Sequence, residues 1–183
     1  MKITVFLGSS SGARPEFEQE AEELGAWIAD QGHVLVYGGA SCGTMGSLAR
    51  GAIRHHGTVI GIMPQFMVSH GRLLDGLSET IVVPDMETRK QKMLELGEVY
   101  LAMPGGPGTL EEIADAYSQV RLQIHHGRLI CYGPDGFWKP LQSLILEMKE
   151  CGFADQNAAD LISFPGTYAE LIELLTEIAG GKA

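Results

Sequence analysis

Residues 103–113 read MPGGPGTLEEI, and their types suit two kinds of chemistry. Glycine lets a backbone turn sharply and lets a ligand approach its N–H groups. A helix beginning there adds partial positive charge. Gly105, Gly106, Gly108 and Thr109 could therefore cradle a phosphate, with the Glu112 carboxylate one helical turn, about 5.4 Å, further on. That is close to the reach from a 5′-phosphate to its sugar. The plainer reading is a capping box, because Thr109 and Glu112 stand at T-x-x-E spacing, where each side chain satisfies an orphan N–H. Both readings stay open on the residues alone. The segment METRK (86–90) puts Arg89 and Lys90 in the first turn of another helix, where cations oppose the helix dipole. Such pairs are usually solvated surface charge, but an anionic nucleotide or the Glu112 carboxylate would offset the penalty.

Two further glycine loops strengthen the anion reading. GSSSG (8–12) offers Gly8 and Ser9, and GGASCGTMG (38–46) offers Gly39. A glycine after a strand is more often only a turn; three such loops on one sheet edge are harder to explain that way. No Gly-Lys-[Ser/Thr] closes any of them, which excludes a Walker A loop. The GxGxxG spacing and the acidic ribose ligand of a dinucleotide site are missing as well. A mononucleotide or sugar phosphate fits better.

The elements that must position these loops are legible. Apolar, β-branched runs recur at 3–8, 33–39, 58–64, 80–84, 99–106, 128–133 and 161–166. Continuous rather than alternating apolar character points to parallel strands buried on both faces. Between them lie helical stripes: Phe17, Ala21, Leu24 and Ile28; Phe137, Leu141, Leu144, Ile145 and Met148; Leu171, Ile172, Leu175 and Ile178. Strand–helix alternation with short loops predicts a doubly wound α/β fold of about seven mainly parallel strands with helices on both faces. No repeat or linker divides the chain, so one domain over 1–183 is expected. In such a sheet, ligands bind beyond the carboxyl ends of the strands.

Composition narrows the function classes. Thirteen Lys+Arg against 23 Asp+Glu leave a net charge of −10, which argues against a nucleic-acid surface. Cys42, Cys131 and Cys151 form no CxxC pair and fit reduced thiols in a cytoplasm. The apolar start is too short for a signal sequence, and no run approaches a membrane span. The histidine neighbours His55–His56 and His125–His126 lack ligand spacing, so no metal and no cofactor are expected.

PGGPGTLEE (104–112) and METRK together resemble the LOG (Lonely guy) phosphoribohydrolases, long labelled possible lysine decarboxylases. The signature PGGxGTxxE is matched at every fixed position, and the YGG loop at 37–39 and Ile124–His125 also fit. The resemblance implies a Rossmann-like fold and a homodimer with sites at the subunit interface. It implies hydrolysis of a nucleoside 5′-monophosphate, such as AMP or a cytokinin riboside 5′-monophosphate, to free base and ribose 5-phosphate. It places Arg89 and Glu112 as the catalytic pair, with Lys90, Gly105, Gly106, Gly108 and Thr109 as nucleotide contacts. Ser118 keeps a hydroxyl of the family's late segment. The chain departs from the family at Ala40, Thr44–Met45, Gly71, Gln119 and Arg121, several of them on the expected base-binding wall.

Cleaving an N-glycosidic bond builds positive charge on the ribose, which a carboxylate such as Glu112 can stabilise. The leaving base gains negative charge, which the Arg89 guanidinium can receive. The main alternative is a carrier that holds a nucleotide or phosphorylated cofactor without turnover, as molybdenum-cofactor carriers do. A decarboxylase would need pyridoxal phosphate on a lysine, and no lysine stands in a recognisable cofactor motif.

Overall fold

The computed structural model describes residues 1–155 and 157–181. Strands β1 (Lys2–Phe6), β2 (Val34–Tyr37), β3 (Thr58–Pro64), β4 (Glu79–Val83), β5 (Val99–Ala102), β6 (Arg128–Cys131) and β7 (Ile162–Ser163) alternate with helices. The helices are α1 (Glu16–Asp30), α2 (Gly43–Arg54), α3 (Gln65–Val68), α4 (Met86–Leu96), α5 (Pro107–Arg121), α6 (Lys139–Glu150) and α7 (Tyr168–Ala179). Five of the seven apolar runs enclose a strand, and β1 and β4 each begin one residue before their runs.

The strands form one sheet in the order β4-β3-β2-β1-β5-β6-β7, and every pairing is parallel. The winding reverses between β1 and β5. At such a reversal the connecting loops leave in opposite directions and open a crevice. Helices α1, α2 and α7 share a core with one face through Ala21, Leu24, Leu48 and Leu171. Helices α4, α5 and α6 cover the other through Met93, Ile113 and Ile145. The central strand shows the pleat at work. Ile3 and Val5 enter the first core and Phe6 the second, while the buried Thr4 hydroxyl donates to the Met93 carbonyl at 2.9 Å.

Two expectations need correction. The stripe from Phe137 to Met148 is not one core face: only Ile145 is buried, Leu141 packs partly, and Leu144 and Met148 are exposed. Phe137 lies outside α6, because the preceding 3₁₀ turn holds Asp135 and Gly136 at positive φ, 56° and 70°. Nor is β4 covered on both sides, since it is the sheet edge and Val82 is exposed.

Candidate active site

The three glycine loops meet in one knot. The Gly8 carbonyl accepts from the Met45 amide at 3.1 Å and from the Thr44 hydroxyl at 2.9 Å. The Gly8 amide donates to the Pro104 carbonyl at 3.2 Å. Thr44 and Met45 thus fasten the first two loops together. A cleft of about 510 Å³ opens above the knot, within the usual range for small-molecule sites.

Helix α5 begins at Pro107 with Gly106 as its N-cap. The proline costs nothing there because the first-turn N–H groups lack partners within the helix. A side chain at Gly105 would overlap the Thr109 hydroxyl and come within 3.0 Å of the Gly8 amide nitrogen. At Gly106 and Gly108 an added methyl would meet nothing within 4 Å, because both positions face open space at the cleft. The first-turn N–H groups of α5, which have no partner within the helix, thus belong to a stretch that lines the cleft without side chains in the way.

The capping box does not form. With Gly106 at the N-cap, Thr109 falls three residues inside the helix, and no side chain caps the α5 N-terminus. Glu112 instead accepts from Arg89 Nη1 at 2.7 Å, and the two side chains are only 6% and 5% exposed. Arg89 Nε donates to the Ile62 carbonyl at 3.1 Å. The β2 loop seals the pair: a side chain at Gly38 would overlap Arg89 Nη2. Burial pushes the Glu112 carboxyl above its ordinary pKa, and the Arg89 guanidinium pulls the other way.

Arg89 closes the first turn of α4 and Lys90 opens the second. The clash with the dipole is offset by Asp85, the N-cap, whose carboxylate accepts from the Thr88 amide at 2.7 Å. Lys90 is held by Glu111 at 2.8 Å and Glu87 at 3.0 Å; these hydrogen bonds raise its pKa.

Of the residues singled out in the sequence, the cleft brings together Gly8, Ser9, Arg89, Lys90, Gly105, Gly106, Gly108, Thr109 and Glu112. Gly39 lies just outside the lining, between Gly38 and Ala40, and accepts from the Leu74 amide at 3.0 Å. Ser118 is exposed on α5, nine residues or roughly 13.5 Å along the helix from Thr109. Gln119 and Arg121 turn to Asp115 and Asp155 at 2.9 and 3.2 Å. Sequence reasoning missed Phe17, Phe137, Met67 and Arg72, all of which line the cleft. Phe17 and Phe137 meet edge to face at 6.1 Å. Among the described residues no three His, Cys, Asp or Glu side chains converge on a point that could hold a metal. No helix among them is long and apolar enough to cross a membrane.

A doubly wound parallel sheet, with a cleft at its switch point and a buried Arg–Glu pair in the floor, defines an α/β protein built around a small-molecule site. The chain belongs to the family described as possible lysine decarboxylase, the family of the LOG proteins, whose model matches residues 45–175. A cytokinin riboside 5′-monophosphate phosphoribohydrolase of Arabidopsis thaliana is 33% identical over 178 residues, covering 97% of this chain and 83% of its own length. One from Rhodococcoides fascians is 38% identical over 152 residues, covering 82% and 77%. The fold recurs in the molybdenum cofactor binding protein of Rippkaea orientalis, with TM-score 0.74, 25% identity and coverage of 97% and 96%. It recurs too in the molybdenum cofactor carrier protein of Chlamydomonas reinhardtii, with TM-score 0.75, 22% identity and coverage of 98% of both chains. The resemblance read from PGGPGTLEE and METRK is thereby borne out, as is the doubly wound fold.

Proposed function

We propose that this protein is a nucleoside 5′-monophosphate phosphoribohydrolase. Water adds to the anomeric carbon, the C1′–N bond breaks, and base and ribose 5-phosphate leave. AMP and cytokinin riboside 5′-monophosphates are the substrates to try first. The relatives are named for the latter reaction, and the observation that carries the reading is the buried Arg89–Glu112 pair beside the open Gly106 and Gly108 backbone.

The α5 amides would seat the phosphate and so fix the sugar, converting remote binding energy into position. Ionised Glu112 would then face the ribose as positive charge develops there. Arg89 keeps that carboxylate ionised against its burial and, being always protonated, offers a fixed donor to the departing base. Lys90 is a screened cation at the rim, tied to Glu111 and Glu87. We further infer a homodimer: Met86 and Leu110 leave apolar surface exposed on α4 and α5. Ser118 would meet a cleft only when a second copy brings it there. The free thiols of Cys42, Cys131 and Cys151 favour a cytoplasmic setting.

The test is release of free base from AMP and from isopentenyladenosine 5′-monophosphate, followed by chromatography. Glu112→Gln and Arg89→Ala should each lower kcat by roughly 10²–10³, the scale for losing one preorganised electrostatic group. Wild-type rates in both variants would discard these roles. Tight binding without any release would instead identify a carrier.

A further inference from the structure

We propose that Arg72 selects the base, favouring a 6-oxopurine such as guanine or hypoxanthine over adenine; this rests on the reading of the cleft as a nucleoside monophosphate site. Of the cations lining or rimming the cleft, Arg14 is paired with Asp135, Arg89 with Glu112 and Lys90 with Glu111 and Glu87. Arg72 lines the cleft too, at its exposed end, and among the described residues its guanidinium makes no ion pair or hydrogen bond within the chain. In a chain with 23 acidic residues, that leaves its forked donors free for a ligand.

The Arg72 backbone is firmly placed. Its carbonyl accepts from the Ser41 amide at 2.9 Å, the Leu74 amide donates to Gly39 at 3.0 Å, and Ala40 bridges Leu73. These bonds staple the loop after β3 onto the glycine loop after β2. The phosphate cradle follows β5, and the order β3-β2-β1-β5 puts three strand spacings between the two loops, about 14 Å at about 4.8 Å each. Arg89 lies between them beneath Gly38, donating to the Ile62 carbonyl of β3 on one side and to Glu112 of α5 on the other. A nucleotide with its phosphate on α5 and its sugar at Glu112 therefore extends its base toward Arg72. Gln119 and Arg121, the expected base wall, are engaged elsewhere, which leaves Met45, Met67 and Arg72 at that end.

A guanidinium fork matches two adjacent acceptors. The O6 and N7 of guanine or hypoxanthine supply them, whereas adenine presents a donor at N6. The measurement is kcat/KM for GMP, IMP and AMP in wild type, Arg72→Ala and Arg72→Lys. Wild type should prefer GMP and IMP to AMP, and Arg72→Ala should lower the GMP/AMP ratio roughly 5- to 150-fold, the range for one forked base contact. Lysine keeps the charge and loses the fork, so Arg72→Lys should lose most of the ratio as well. An unchanged ratio in Arg72→Ala, a full ratio in Arg72→Lys, or an equal loss on every nucleotide (a phosphate contact) would overturn the assignment while leaving the hydrolase standing. If no monophosphate is cleaved the hydrolase reading fails instead, and calorimetric binding of GMP and AMP to the same variants decides Arg72 by the same ratio.

Discussion

Deleting either member of the Arg89–Glu112 pair destabilises the fold, and the two deletions should differ in their response to pH. In Glu112→Ala the Arg89 guanidinium, 5% exposed, keeps only the Ile62 carbonyl as acceptor among the described residues, and arginine cannot shed its proton. Breaking a buried pair costs about 3–5 kcal/mol. For a chain of this length that lowers Tm by about 6–20 °C. In Arg89→Met the survivor is a carboxylate, which escapes by taking a proton. Burial already raises the Glu112 pKa and Arg89 opposes the rise, so removing Arg89 raises it further. The folded variant then holds a proton that the unfolded chain has released. Its stability is full below the ordinary glutamate pKa and is lost as pH rises toward the raised folded value, by up to about 1.4 kcal/mol per pH unit. Urea titrations between pH 5 and pH 8 read this directly. The gap between Arg89→Met and wild type should widen with pH, and the gap for Glu112→Ala should not. An Arg89→Met gap of constant size would refute the argument that Arg89 is what keeps Glu112 ionised.

The same carboxylate sets an acid limb on catalysis: kcat/KM for AMP should rise with pH through a value above the ordinary glutamate pKa, since only ionised Glu112 stabilises ribosyl charge. A limb at the ordinary value would count against a buried catalytic carboxylate. Gly106→Ala and Gly108→Ala should fold normally, because their methyl groups meet nothing within 4 Å, yet lose most activity by standing where the phosphate approaches; full activity would mean that no ligand touches this backbone. Gly105→Ala should instead lower stability by about 1–3 kcal/mol, the usual cost of overpacking, because it overlaps Thr109, as a thermal melt would show. Asp85→Ala removes the α4 cap and should cost about 1 kcal/mol; a Tm within error of wild type would mean that the cap adds nothing.

How much of this was legible depended on whether the signal was local. The strands were, because the inner ones are short β-branched runs buried from both sides, and strand–helix alternation then leaves little choice of sheet. Arg89 and Glu112 stood out by their places in two expected first turns, and the resemblance gave them their paired role; their contact across 23 positions has no signature in spacing, since it depends on where two helices lie. Phe17 and Phe137 misled for a related reason. Each continues an apolar periodicity, yet Phe17 sits in the first turn of α1 and Phe137 before α6, and chain ends at a sheet's carboxyl edge face the cleft rather than the core. Arg72 had no pattern at all, for an isolated surface arginine becomes notable only when its neighbours are seen to lack a carboxylate. The capping box was different, because the information that decides it was present. Proline is favoured at the first helical position, which makes Gly106 the N-cap and puts Thr109 at the third. Glu112 then stands six positions in, beyond the turn in which a side chain can reach the cap. The residue that fixes the start of α5 is therefore also the one that releases Glu112 from a capping role and turns it toward Arg89.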